Sequence, residues 1–205
     1  MMAKLYFRYG TVGSAKTMNL LAVAHNYRFQ NKKVVLVKPQ MDIRFGEAVI
    51  KSRSGLVMEA NLLVNDDTLI DRSSFEGMSC ILVDEAQFLS PALVDQLREI
   101  SQTMDIPVIC YGLRTDFRSH LFPGSKRLLE LADTIEEIKT TCSFCNKKAI
   151  FNLKFRDGVA VTDGPTVDLG CEEKYLPACS HCYQSQIADQ PDPDSETYPS
   201  DYISH

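Results

Sequence analysis

A glycine-rich turn joins an apolar run to a helical pattern at the start of the chain. Residues 4–9 read KLYFRY, residues 10–17 read GTVGSAKT, and the helical pattern begins at Met18. The order strand, glycine-rich turn, Lys-Thr and helix builds a phosphate-binding loop, in which backbone N–H groups and the helix N-terminus face phosphate oxygens. The turn therefore predicts an α/β domain that binds a nucleoside triphosphate.

The predicted loop carries both a cation and a metal ligand. Its nucleotide-binding residues are Gly10, Thr11, Val12, Gly13, Ser14, Ala15, Lys16 and Thr17. The Lys16 ammonium can reach the β- and γ-phosphates, and the Thr17 hydroxyl can ligate Mg²⁺. The usual pattern has glycine where this chain has Ala15. If that residue must adopt a positive φ, alanine costs roughly 1 kcal/mol and ATP binding suffers.

Apolar runs further along the chain predict the remaining strands of a sheet. They cover residues 33–37, 80–83 and 107–111, with weaker strands at 61–64 and 134–139, and helices are predicted at 18–30, 91–102 and 125–132. Continuous apolar strands separated by helices are typical of a parallel sheet that is covered on both faces. We predict a P-loop NTPase-like (RecA-like) domain at residues 1–139, a parallel sheet flanked by helices.

Two carboxylates, Asp84 and Glu85, follow the strand at residues 80–83. A carboxylate at the C-terminal end of an inner parallel strand lies where such domains bind Mg²⁺, so Asp84 is predicted to share the ion with Thr17. Glu85 is a candidate base, which would act on water in an ATPase or on a substrate hydroxyl in a kinase. Taken alone, the pair could also form a solvated turn.

Four paired cysteines predict a second, smaller unit at residues 140–186. The pairs are Cys142 with Cys145 and Cys179 with Cys182. Two such knuckles supply the four thiolates of a structural Zn²⁺ site, which has no open position for catalysis. We expect Cys80 and Cys110 to be core residues and Cys171 to be unliganded. His181 could replace a thiolate, but exposure in the turn is the favoured interpretation.

Composition excludes several other classes of protein. The net charge is −5 and we see no long basic cluster, which argues against nucleic-acid binding. We see no apolar run of about 18 residues and no leader, so we expect no membrane contact and a cytoplasmic protein. A turn at residues 157–158 predicts a hairpin in the small unit. Residues 187–205 form an acidic, proline-rich tail that we expect to be disordered.

Together these motifs make the chain similar to the zinc-containing (type II) thymidine kinase family. The resemblance extends from Lys4 to Tyr183 and includes the loop, DIRFG at 42–46, DEAQF at 84–88, YGLRTDFR at 111–118, both cysteine pairs and GCEEKY at 170–175. Members of this family transfer the γ-phosphoryl of ATP to the 5′-hydroxyl of thymidine or deoxyuridine, which gives dTMP in nucleotide salvage. The small unit would then be a zinc-ribbon subdomain that carries a lasso loop over the nucleoside.

The resemblance also implies roles for single residues. Glu85 would be the base for the 5′-hydroxyl, Arg44 would stabilise the transferring phosphoryl group together with Lys16, and Gln87 would join the nucleotide-binding residues. The implied nucleoside-binding residues are Asp42, Leu113, Phe117, Phe122, Thr166, Val167, Asp168, Leu169, Gly170 and Tyr175. From the residues alone, Arg44 could instead form a surface ion pair, and both phenylalanines could be core residues.

The resemblance further implies a homotetramer and feedback inhibition by dTTP. Cys171 stands where many relatives have glycine, which would stiffen the lasso loop or make it easier to oxidise. Two alternatives stay open. One is a DExx-type ATPase in which Glu85 activates water, and the other is a non-enzymatic zinc-ribbon adaptor whose phosphate loop has decayed at Ala15.

Overall fold

The structure is a computed structural model that describes residues 2–42, 46, 48–156, 158–164 and 174–188, without the side chain of Lys174. Its elements in chain order are β1 (Leu5–Tyr9), α1 (Lys16–Phe29), β2 (Val34–Pro39), β3 (Val49–Lys51), β4 (Val57–Glu59), β5 (Leu62–Val64), β6 (Cys80–Val83), α2 (Pro91–Thr103), β7 (Val108–Gly112), α3 (Pro123–Leu131), β8 (Thr134–Glu137), β9 (Phe151–Arg156), β10 (Val159–Val161), β11 (Lys174–Ala178) and α4 (Ser180–Ala188). Among these elements there is no helix with the length and apolarity to cross a membrane.

Six strands form one parallel sheet in the order β5-β2-β6-β7-β1-β8. The predicted parallel α/β fold is confirmed. Every residue of β2, β6 and β7 is buried, which is why these strands are apolar without alternation except at Lys38 of β2. The carboxyl ends of β1, β6 and β7 lie side by side at the centre of the sheet, where folds of this class bind ligands.

The two faces of the sheet have separate cores, because successive side chains of a strand point to opposite faces. One face packs against α2 and α3 through Leu5, Phe7, Val83 and Val108, among others. The other face includes buried residues of α1 together with Leu36, Leu82 and Tyr111. The Ser90 side chain accepts a hydrogen bond from the backbone N–H of Leu93 and so caps the N-terminus of α2.

The small unit is an antiparallel sheet in the order β10-β9-β11. The pairing of β9 with β10 confirms the predicted hairpin. Its core contains Leu153, Ala160 and Ala178 together with two of the paired cysteines, Cys142 and Cys179. Helix α4 was not predicted, and it extends two residues into the segment that the sequence assigned to the tail. Residues 189–205 lie outside the described part of the chain.

A short hairpin of β3 and β4 was also missed from the sequence. Each strand has three residues, and only Ile50 among the six is buried. Strands this short and this exposed lack the periodic pattern from which a strand can be predicted. The hairpin packs against α1 beside the segment that carries the DIRFG motif.

Candidate active site

The turn between β1 and α1 has the geometry of a phosphate-binding loop. The backbone N–H of Ser14 donates to the carbonyl oxygen of Thr11 at 3.3 Å, and the N–H of Gly10 donates to the carbonyl of Gly112 at 3.2 Å. A Cβ on Gly10 would lie 2.5 Å from the carbonyl oxygen of Ile138, so only glycine fits there. The loop is thus tied to the ends of two neighbouring strands.

Ala15 adopts a left-handed backbone conformation, with the positive φ that the sequence analysis considered for this position. Its φ is 63° and its ψ is 27°, directly before the first residue of α1. This region costs an L-residue with a Cβ about 1 to 2 kcal/mol, whereas glycine enters it freely. The helix begins at Lys16 rather than at the predicted Met18 because the loop closes at Ala15.

Lys16 and Thr17 begin the helix on the inner side of the loop. The Lys16 ammonium donates to the carbonyl oxygen of Thr11 at 2.7 Å and lies 3.3 Å from that of Gly10. The Thr17 hydroxyl lies 3.3 Å from both carboxylate oxygens of Asp84, which is 5% exposed. A hydroxyl and a carboxylate are hard oxygen ligands, so this pair fits Mg²⁺.

Glu85 follows Asp84 in a left-handed conformation, with φ at 49° and ψ at 38°. Its carboxylate oxygen Oε2 accepts a hydrogen bond of 2.5 Å from Nε2 of Gln87. Gln87 is 1% exposed, and its Oε1 accepts from the backbone N–H of Leu113 at 3.0 Å. Gln87, which the resemblance placed among the nucleotide-binding residues, therefore contacts the candidate base and the end of β7.

Two glycines allow the segment that carries Glu85 to pack directly on its neighbours. A Cβ on Gly124, at the start of α3, would lie 2.6 Å from the carbonyl oxygens of Ala86 and Leu89. A Cβ on Gly112 would lie 2.7 Å from Oε1 of Gln87. Neither glycine was singled out from the sequence as a site residue, since the contact of α3 with this segment is visible only in three dimensions.

Lys38 is a buried cation beside the segment that carries the DIRFG motif. It is 1% exposed, and its ammonium donates to the carbonyl oxygens of Val49 at 2.8 Å and Gly46 at 3.2 Å. The same ammonium lies 3.5 Å from Oδ2 of Asp42, which is also buried. Arg44 lies outside the described residues. Sequence reasoning missed Lys38, although a lysine inside an otherwise apolar strand was a usable signal.

The aromatic residues of the predicted nucleoside wall are packed. Phe117 is 1% exposed, and the buried Lys154 ammonium lies 5.0 Å from its ring centroid. Phe122 is 8% exposed and meets Phe88 edge to face at 5.6 Å. Leu113 is half-buried at the end of β7. Both phenylalanines therefore also fit the core interpretation that the residues alone left open.

Of the remaining predicted nucleoside-binding residues, Tyr175 lies within the described part of the chain, on the small sheet. Tyr175 is half-buried on β11, where it pairs with Lys154 of β9. The Tyr183 hydroxyl of α4 donates to the carbonyl oxygen of Phe117 at 2.6 Å, which joins the small unit to the wall. Thr166, Val167, Asp168, Leu169, Gly170 and Cys171 lie outside the described residues.

The four paired cysteines converge on one point. All four sulfur atoms lie within 4.8 Å of one another, and those of Cys145 and Cys179 are 3.6 Å apart. Sulfurs about 2.3 Å from a tetrahedral zinc ion lie about 3.8 Å apart, so the cluster fits Zn²⁺. His181 is exposed and is not part of the cluster.

Thiol protonation differs among the cysteines, and within the cluster itself burial and the neighbouring thiols raise the pKa of Cys182 to about 12. Burial opposes ionisation of Cys142, but backbone N–H groups, including that of Phe144, lower its pKa to about 6. Burial raises the pKa of Cys80 to about 11 and raises the pKa of Cys110 as well. A metal ligand must be a thiolate, whereas these core thiols stay neutral, as the sequence predicted.

The chain is similar to thymidine kinases along most of its length. The thymidine kinase family profile matches residues 3–183. The thymidine kinase of Lactiplantibacillus plantarum is 46% identical over 184 residues, which cover 89% of this chain and 96% of that one. The thymidine kinase of Streptococcus pyogenes serotype M6 is 43% identical over 192 residues, which cover 91% and 100%.

The solved structures give a weaker likeness. The Pif1 helicase from Candida albicans aligns over 66% of this chain and 36% of that chain, at 13% identity and a TM-score of 0.39. Similarity at this level carries no argument about activity.

Proposed function

The chain belongs to the thymidine kinase family, and from that premise we propose that it is an ATP:thymidine 5′-phosphotransferase. It transfers the γ-phosphoryl of ATP to the 5′-hydroxyl of thymidine, and of deoxyuridine, in nucleotide salvage. One observation carries the proposal. The carboxyl edge of one sheet brings together a Lys-Thr phosphate loop and two carboxylates. The Asp84 carboxylate lies 3.3 Å from the Thr17 hydroxyl, and Glu85 is the next residue.

The loop side of this cleft is assigned to MgATP. Thr17 and Asp84 would ligate Mg²⁺, which neutralises charge on the phosphates when bound. Lys16 supplies a positive charge inside the loop, next to the backbone N–H groups that receive the phosphate oxygens. Ala15 supports this assignment, because it adopts the backbone conformation that glycine would take.

Glu85 is assigned as the base that takes the proton of the 5′-hydroxyl. Phosphoryl transfer passes through a loose transition state, so the base must mainly orient the hydroxyl. Gln87 supports this role because its amide bonds Glu85 at 2.5 Å while its other end is fixed by Leu113. We therefore assign Gln87 as a positioning residue for the base.

The nucleoside is assigned to the opposite side of Glu85. Leu113 and Phe122 would contact the pyrimidine, and Phe117 would support them from behind, because it is nearly fully buried. Thr166 to Gly170 would read the base through main-chain groups, and Tyr175 would close over it. Arg44 would stabilise the transferring phosphoryl group, with its segment anchored through Lys38 and Asp42.

The cysteine cluster is assigned a structural Zn²⁺. Four thiolates leave no position for water or substrate, so the ion does not take part in phosphoryl transfer. The cluster lies at the base of the small sheet, where it would anchor both ends of the lasso loop. A loop that recognises through its main chain needs such an anchor.

The wider family properties are part of the same proposal. They are a cytoplasmic location, a homotetramer, feedback inhibition by dTTP and no nucleic-acid partner. The division into residues 1–139, 140–186 and a tail also stays a proposal. The separate cores of the two sheets support the first boundary.

A coupled kinase assay tests the reaction and the base together. It is run with thymidine, deoxyuridine, deoxycytidine and no nucleoside, on wild type and on Glu85→Gln. We expect turnover with the first two substrates alone, and a loss of kcat of about 10² to 10⁴-fold in the variant. Binding of ATP, measured by calorimetry, should change little because the assignment gives the phosphates and Mg²⁺ to Lys16, Thr17, Asp84 and the loop backbone rather than to Glu85.

Glu76→Gln is the matched control, since Glu76 is an exposed carboxylate of the same domain. It should retain wild-type kcat. ATP consumption that is equal with and without nucleoside would favour the DExx-type ATPase. Absence of ATP binding in wild type would favour the zinc-ribbon adaptor.

A further inference from the structure

A buried amide of the small sheet reaches into the phosphate loop. Asn152 is the second residue of β9, pairs with Pro177 of β11, and is 3% exposed. Its Oδ1 accepts a hydrogen bond of 2.9 Å from the backbone N–H of Val12 in the loop. Its Nδ2 donates to the carbonyl oxygen of Thr115 at 3.1 Å. One side chain therefore joins three segments of the fold.

The two partners of Asn152 lie on the two sides of the proposed cleft. Val12 is in the segment assigned to the ATP phosphates, and Thr115 lies between Leu113 and Phe117 in the segment assigned to the nucleoside. Both partners are main-chain groups, so the amide fixes backbone positions rather than side chains. A backbone N–H or carbonyl that is left unpaired in a buried place is costly, which makes this arrangement sensitive to the amide.

The surroundings of Asn152 leave little room for adjustment. The cavity between the loop and the small sheet, lined by Thr11, Arg114, Ile150 and Asn152 among others, measures about 10 Å³. A water molecule needs at least that volume. This cavity has room for about one water at most, so a network of several waters there cannot replace both hydrogen bonds of the amide.

We propose that Asn152 is a positioning residue that couples the zinc-anchored sheet to the phosphate loop and to the nucleoside wall. This proposal rests on the assignment of the loop to ATP. The Oδ1 of Asn152 sets the position of the loop, so this hydrogen bond affects the affinity for ATP. The Nδ2 of Asn152 sets the position of the Thr115 segment, so this hydrogen bond affects the KM for thymidine. Asn152 does not contact either substrate in this scheme.

Two variants separate these effects. Asn152→Leu has a similar volume and removes both hydrogen bonds. Asn152→Asp keeps an acceptor for the N–H of Val12 but places an oxygen against the carbonyl of Thr115. We expect Asn152→Leu to weaken binding of a non-hydrolysable ATP analogue by about tenfold or more, because a partly buried loop N–H loses its acceptor. We expect Asn152→Asp to weaken analogue binding less than Asn152→Leu does, because its oxygen still accepts the N–H of Val12 although its negative charge opposes the phosphates, and to raise the KM for thymidine by about tenfold.

Asn61→Leu is the matched control. The Asn61 amide oxygen also accepts a backbone N–H at 2.9 Å, from Leu36, but that bond lies in the main sheet and does not involve the loop. This control should lower the melting temperature and leave both the Kd and the KM unchanged. A purely structural role for Asn152 would give the same pattern as the control.

The measurements are calorimetric binding of the ATP analogue, steady-state kinetics with thymidine, and thermal unfolding. An unchanged Kd in Asn152→Leu would overturn the proposal, as would equal changes in Kd in Asn152→Leu and Asn61→Leu. If Asn152→Leu does not fold, Asn152→Asp decides, and an unchanged KM for thymidine in that variant refutes the coupling. Failure of the kinase assignment is distinguished by wild type, which would then bind the analogue without phosphorylating thymidine.

Discussion

Replacement of Ala15 by glycine should stabilise the protein. Ala15 has a φ of 63°, a conformation that costs alanine about 1.5 kcal/mol and glycine little. Glycine also gives the unfolded chain more freedom, which costs about 0.7 kcal/mol in stability. The difference predicts that Ala15→Gly raises the free energy of unfolding by about 0.8 kcal/mol.

An alanine-to-glycine substitution seven residues later should instead lower the free energy of unfolding. Ala22 is an exposed residue inside α1, where glycine costs about 1 kcal/mol relative to alanine. Ala22→Gly is therefore the matched control, with the same atoms removed from the same helix region. The two variants should differ by about 2 kcal/mol, which corresponds to about 5 °C in melting temperature for a domain of this size.

Equilibrium urea unfolding and calorimetry at one protein concentration measure the difference. ATP binding should change by less than about twofold in Ala15→Gly, because the strain is present before the nucleotide binds. A loss of stability in Ala15→Gly that matches the loss in Ala22→Gly would refute the reasoning. It would mean that residue 15 does not hold the left-handed conformation in solution.

Two further substitutions test the packing around the proposed base and around Asp42. Gly124→Ala would place a Cβ 2.6 Å from two carbonyl oxygens, so we expect a loss of about 1 to 3 kcal/mol in stability and a lower kcat, measured by urea unfolding and kinase assay. Lys38→Met leaves the buried carboxylate of Asp42 without this cation and should cost about 3 kcal/mol. Addition of Asp42→Asn should recover part of that cost, and strict additivity of the two losses in unfolding free energy would contradict the pairing.

The main sheet could be predicted because its central strands have a strong local signal. Residues of β2, β6 and β7 are buried on both faces, so each strand is a largely apolar run without alternation, which Lys38 of β2 interrupts. The strand predicted at residues 80–83 agrees with β6, and that predicted at 107–111 is displaced from β7 by one residue. The phosphate loop also has a strong local signal in the sequence, because its glycines, its lysine and its threonine lie within eight residues.

Other parts of the site carry no local signal. Asn152 bonds Val12 across 140 residues, and Gln87 bonds Leu113 across 26 residues. A side-chain amide has no preferred spacing in sequence, so neither contact could be predicted without the fold. The same holds for Gly124, because a requirement for glycine there arises from the carbonyl groups of a different segment.

Two residues of the proposed cleft, Ala15 and Glu85, are left-handed without being glycine, as Asn31, Asp105 and Ser119 are elsewhere in the described residues. Such conformations persist where the surrounding structure fixes them. Around Glu85 the fixing contacts are the amide of Gln87 and the close approach of Gly124, and in the neighbouring loop the amide of Asn152 fixes Val12. These contacts do not involve substrate in our assignment, but they fix the backbone positions from which the side chains of Lys16, Thr17 and Glu85 project. Because these contacts come from β7, α3 and β9, the cleft depends on elements far apart in sequence, and the short motifs alone would not assemble it.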